Sequence, residues 1–137
     1  MQESPAQGQN ASAPRILIVD DYQKNIELVT FILEEEDFEV RGASSAAQAL
    51  ETIPAFRPHL ILMDLQMPGM NGLELTRKLK SGPDTRDIVI LAFTAMAMPG
   101  DDVKAFSAGC DGYVSKPVDV DTLAQTLRSH LPAAPLK

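Results

Sequence analysis

At 137 residues the chain suits one domain around one core, filled mainly by aliphatic side chains, because aromatics make up only 5% and Trp is absent. Its net charge of −7 disfavours nonspecific binding to nucleic acid or to an anionic membrane. The single Cys110 excludes an internal disulfide and a Cys-based zinc site, and no apolar run approaches the roughly 20 residues of a membrane helix.

Residues 1–14, MQESPAQGQNASAP, lack the basic start and apolar segment of a signal peptide and read as a disordered tail. With the lone cysteine, this fits a cytoplasmic protein. RILIV at 15–19 is an apolar run without alternation, a first strand buried on both faces and ended by Asp20 and Asp21. Ile26, Val29, Ile32 and Leu33 recur at helical spacing and predict a helix over 22–36. That helix ends in Glu34, Glu35, Glu36 and Asp37, the wrong sign for its dipole and suited to a solvated face.

Residues 38–43 form a second, more polar strand, fit for a sheet edge. Ser45 and Gln48 have capping-box spacing and open a helix to about Ile53, with Pro54 and Pro58 bracketing the next loop. Strand 59–63 then delivers Asp64 to its end, and a charge closing such an apolar run is expected to emerge at a sheet edge. Asn71 to Glu74 opens a capped helix to about Lys80, ended by Gly82 and Pro83. Strand 88–93 is closed by Thr94. Pro99 suits the first turn of a helix ending near Gly109, with Asp101 and Asp102 at its positive end. Strand 112–115 is closed by Lys116 and Pro117. Asp119 is expected to cap a last helix that turns Leu123, Leu127 and Leu131 inward. Residues 132–137 form a short tail.

Five strands alternating with five helices predict an α/β fold, a flavodoxin-like parallel sheet in the order 2-1-3-4-5 with helices on both faces. Functional groups in such a sheet gather at the C-terminal strand ends. That rule selects Asp20, Asp21, Asp64, Thr94 and Lys116; the end of strand two, Gly42 and Ala43, is chemically blank. Clustered carboxylates repel without a cation, and an all-oxygen set favours a hard ion, best Mg²⁺. Lys116 can neutralise a transferred phosphoryl oxygen and Thr94 can donate to it. The set suits in-line phosphoryl transfer onto Asp64.

Asp20-Asp21, the loop MDLQMPGMNG, Thr94-Ala95 and Lys116-Pro117 resemble, in joint order and spacing, the receiver (CheY-like) domain of bacterial two-component response regulators. The resemblance spans residues 15–131. It implies that Asp64 is the phosphoacceptor, fed by a sensor histidine kinase or a histidine phosphotransfer protein. It implies Mg²⁺ on Asp20, Asp21, Asp64 and the backbone carbonyl of Gln66, with Thr94 and Lys116 on the phosphoryl group. A cis Lys116-Pro117 bond, a switch pair of Thr94 and Tyr113, and an output face of the fourth helix, fifth strand and fifth helix are also implied. Gln66 and Met96 stand where acyl-phosphate lifetime is set. Asn25 and the segment TAMAMPGDD look like hybrid-kinase receivers and stand-alone regulators, which favours a phosphorelay or single-domain role. The expected state is a monomer or weak dimer.

Plainer readings stand beside these. Singly, Asp64 suits a solvated carboxylate, Asp20 and Asp21 suit helix caps, Thr94 a loop hydroxyl and Lys116 a surface lysine. Tyr113 equally suits a half-buried strand aromatic. Met96 and Met98 suit packing under the fourth helix, or an adaptable partner surface if exposed. Cys110 reads as a small buried apolar residue, and His59 and His130 as structural. Two other functions share the chemistry or the fold. A haloacid dehalogenase-type phosphatase would need an acid where Gln66 stands, and a flavodoxin would need a phosphate loop where Asp20 and Asp21 stand.

Overall fold

The computed structural model describes residues 13–65, 72–95 and 101–131, with Asp101 and Asp102 described in backbone only. The expected tails at 1–12 and 132–137, the loop 66–71, Met96, Met98 and Pro99 therefore lie outside the described residues. The strands are β1 Arg15–Val19, β2 Glu39–Ala43, β3 Leu60–Met63, β4 Val89–Thr94 and β5 Gly112–Ser115. The helices are α1 Gln23–Glu34, α2 Ala46–Phe56, α3 Gly72–Ser81, α4 Asp101–Ala108 and α5 Leu123–His130. All pairings are parallel, in the order β2-β1-β3-β4-β5.

Strand residues alternate between two cores because successive side chains point to opposite faces. Leu17, Val19, Ile61, Met63, Ile90 and Ala92 meet Ile53 and Phe56 of α2, Leu75 and Leu79 of α3 and Ala105 of α4. Ile16, Ile18, Leu60, Leu62, Leu91 and Phe93 meet Ile26, Val29 and Leu33 of α1 and Leu123 and Leu127 of α5. Both sets are apolar, so no polar alternation marks these strands. Gly42 on β2 lies so close to the Ile26 side chain that a Cβ there would clash with it. No helix among the described residues is long and apolar enough to cross a membrane.

Three boundaries differ in substance from expectation. Helix α2 runs through Pro54 to Phe56, whereas Pro54 was expected to open the loop. Proline removes one N–H in this last turn, but Ile53 and Phe56 are both buried on the core side, and that burial outweighs one missing bond. Arg57, left-handed at φ 54°, closes the helix by donating its N–H to Ile53 O at 2.8 Å. Asp119 does not cap α5: Thr122 occupies the N-cap position, and the Asp119 carboxylate accepts Asp121 N–H at 3.0 Å in a preceding turn. Pro14, expected in the tail, is joined to the sheet, because Glu39 N–H donates to its carbonyl at 2.9 Å.

Capping explains two further ends. Ser45 Oγ accepts Gln48 N–H at 3.1 Å, and Gln48 Oε1 accepts Ser44 N–H at 2.6 Å, one residue earlier than a standard box. The acidic end of α1 is solvent-exposed and met by Arg128 of α5, which donates to Glu36 O at 2.6 Å and stacks 4.9 Å from the Phe38 ring centroid. A cation from another helix thus supplies the sign that the end of α1 lacks.

His59 precedes β3, and its Nδ1 accepts the Arg15 N–H at 2.9 Å. The ring must therefore stay neutral with its proton on Nε2. Burial first, and the Arg15 charge second, hold its pKa below the usual 6.5. As pH falls through that range the unfolded chain takes up the proton first, so stability is lost on acidification and retained above it. In His59→Asn, which keeps an acceptor but does not titrate, unfolding free energy should fall less between about pH 7.5 and 5.5 than in the wild type. Equal acid sensitivity in denaturant titrations of both proteins would contradict this assignment.

Candidate functional site

Backbone bonds continuing the ladder beyond the strands fix the roots of three site residues. Asp20 N–H donates to Ala43 O at 3.0 Å, Asp64 N–H to Val19 O at 2.8 Å and Lys116 N–H to Thr94 O at 3.0 Å. Each side chain thus starts from a rigid strand end rather than from a free loop. The Lys116-Pro117 peptide is cis.

The geometry brings Asp20, Asp21, Asp64 and Lys116 together. One carboxylate oxygen from each aspartate lies within 4.8 Å of the others. Asp20 and Asp64 are buried, at 0% and 3% exposure, and Asp21 is open to solvent. Asp20 Oδ1 accepts Tyr22 N–H at 2.9 Å, and Oδ2 accepts Asn25 Nδ2 at 3.2 Å. Lys116 Nζ lies 2.9 Å from Asp20 Oδ2 and 3.6 Å from Asp64 Oδ2. Thr94 ends β4, is buried, and is tied to the cluster through its carbonyl, which accepts the Lys116 N–H. Burial raises the cost of these charges and strengthens their attraction to the ammonium.

Among the described residues, the carboxylates of Asp20, Asp21 and Asp64 gather around the Lys116 ammonium, a predominantly anionic cluster. Its donors are oxygens only, with Asp21 open on the solvent side. That set could hold a hard divalent cation, which needs few protein carboxylates and keeps other ligands. Such an ion would also relieve the carboxylate repulsion.

Tyr113 stands apart. It is 44% exposed and meets Phe106 of α4 edge-on, with centroids 6.4 Å apart. Gln66 and Met96 lie outside the described residues. Cys110 is buried, and burial pushes its thiol pKa up, which suits a packing role. His130 Nδ1 lies 3.0 Å from Thr126 O within its own helix.

Two contributors were not legible as such. The Tyr22 N–H is a backbone group, and its use by Asp20 follows from the turn into α1. Gly72 opens α3 directly against the end of β3. A Cβ there would overlap the Asp64 carbonyl oxygen and lie 2.8 Å from Leu65 Cα. Only glycine allows that approach.

A sequence model of the response regulator receiver domain matches residues 16–128. The polar-differentiation response regulator DivK of Brucella anthropi is 37% identical over 116 residues, covering 85% of this chain and 94% of that protein. The chemotaxis protein CheY4 of Vibrio cholerae superposes with a TM-score of 0.82 at 27% identity, over 87% of this chain and 99% of that one. The signal receiver domain of a histidine kinase from Syntrophus aciditrophicus gives 0.79 at 34% identity, over 87% and 90% of the two chains.

Gly72→Ala should push α3 away from the Asp64 backbone and destabilise the fold by about 1–3 kcal/mol. Denaturant titration checks this. A wild-type unfolding free energy would show that the close approach is not needed.

Proposed function

The chain belongs to the response regulator receiver family, and on that premise we propose that Asp64 takes a phosphoryl group from a phosphohistidine in a Mg²⁺-dependent reaction. The supporting observation is the buried Asp64 carboxylate, with Lys116 Nζ at 3.6 Å and Asp20 and Asp21 within 4.8 Å. An Asp64 oxygen bonds to phosphorus while the phosphorus–nitrogen bond breaks, and the imidazole nitrogen keeps the bonding pair. Lys116 neutralises a phosphoryl oxygen and the Thr94 hydroxyl donates to another. Asp20, Asp21, Asp64 and the Gln66 carbonyl would hold Mg²⁺, which when bound supplies charge neutralisation at the phosphoryl oxygens.

The product is a signal. A phosphoryl group adds about −1.5 to −2 charge and three strong acceptors where charge already decides the arrangement of side chains. Thr94 turning toward it, and Tyr113 moving inward, would alter the α4-β5-α5 face. Val103 at 61%, Phe106 at 49% and Tyr113 at 44% exposure make that face apolar enough for a protein partner. The module over residues 15–131 would catalyse its own phosphorylation and dephosphorylation in the cytoplasm, as a single-domain regulator or a phosphorelay receiver. A sensor histidine kinase or phosphotransfer protein would be the donor. The similarity to the response regulator DivK over 94% of that protein's length, and to the signal receiver domain of a histidine kinase, supports this reading. Gln66 and Met96 would set the lifetime of the acyl phosphate.

With Mg²⁺ and acetyl phosphate, intact-mass measurement should show one added phosphoryl group, absent in Asp64→Asn and after chelation. In the same assay, Gln66→Ala and Met96→Ala should change the decay rate. Multiple-turnover release of phosphate from small organic phosphates, without a chain-bound phosphoryl group, would instead indicate a phosphatase. Unchanged decay in both variants would remove Gln66 and Met96 from the mechanism.

A further inference from the structure

Lys116 has a third neighbour besides Asp20 and Asp64. Its Nζ lies over the ring of Phe93, 5.0 Å from the centroid. Phe93 is the penultimate residue of β4, 1% exposed, in register with Val114 of β5. It packs in the α1/α5 core with Leu123 and Leu127. The backbone joins the same two strands at this point, since Lys116 N–H donates to Thr94 O at 3.0 Å. The root of Lys116 and the ring beneath its tip are therefore set by adjacent residues of one strand.

A ring face attracts an ammonium through its quadrupole, more strongly where water is excluded. It differs from the carboxylates in one respect that matters here. Aspartate oxygens can be drawn away by a cation or a transferred group, whereas the ring binds neither a hard cation nor a phosphoryl group. Neither a cation nor a transferred group would therefore compete with Lys116 for it. An aliphatic side chain would fill the same space without that attraction.

We infer that Phe93 is a positioning residue that holds the Lys116 ammonium over Asp64 by a cation–π contact. The inference rests on the proposed role of Lys116 at the phosphoryl group. It predicts that ring electronics, beyond ring volume, govern the reaction.

The test uses the full chain with Mg²⁺ and acetyl phosphate. Phe93 is replaced by mono-, di- and trifluorinated phenylalanine, which keep the shape and weaken the π-face stepwise, and by leucine. The phosphorylation rate should fall with each fluorine, by about tenfold across the series, and also fall in Phe93→Leu. Independently of phosphorylation, the Lys116 ε-methylene protons should resonate upfield in the wild type and lose that ring-current shift in Phe93→Leu. A trifluorinated protein as fast as the wild type, with only Phe93→Leu slow, would reduce Phe93 to packing and overturn the inference. Unshifted Lys116 resonances in the wild type would overturn it as well. A wild-type chain that accepts no phosphoryl group would overturn the phosphoacceptor reading and this inference with it.

Discussion

Lys116 bridging two buried carboxylates is the interaction on which the site depends. Asp20 and Asp64 are withdrawn from water at the ends of neighbouring strands, and a buried carboxylate without partners costs several kcal/mol. Asp20 is held by the Tyr22 N–H, the Asn25 amide and the Lys116 ammonium. Asp64 shares that ammonium at 3.6 Å. The cation comes from the end of β5, at the edge of the sheet, and reaches β1 and β3. Charge therefore ties together strands that the backbone ladder does not pair directly.

The sheet order makes this convergence possible. With β1 and β3 adjacent and the chain reversing direction of travel across the sheet between them, the crevice above their C-terminal ends is where groups collect. The two cores on either face keep those ends rigid, and Gly72 lets α3 abut Asp64 without a side chain between. The same strand that presents Lys116 carries Tyr113 three residues earlier, on the exposed face beside Phe106. A change at the lysine thus has a short backbone route to the surface.

Much of this was legible in the amino-acid order. Strands buried on both faces announce themselves as unbroken apolar runs, and the strand-end rule picks out Asp20, Asp21, Asp64, Thr94 and Lys116 from pattern alone. What escaped is tertiary. Pro54 looked like a breaker because the burial of Ile53 and Phe56 against the sheet is not a local property. The acidic end of α1 looked misplaced because its cation, Arg128, lies 92 residues away. Asp119 has the composition of a cap, and only the turn geometry shows that it serves the residues before α5. The roles of Gly72 and Phe93 depend on what another strand brings within reach.

Asp64 is the one carboxylate proposed to carry the phosphoryl group. Borohydride reduces an aspartyl phosphate to homoserine, and peptide mass spectrometry can then locate the altered residue. After phosphorylation in the presence of Mg²⁺, homoserine should appear in place of Asp64 and nowhere else. Homoserine in place of Asp20 or Asp21, or no conversion in a protein that binds Mg²⁺ normally, would contradict it.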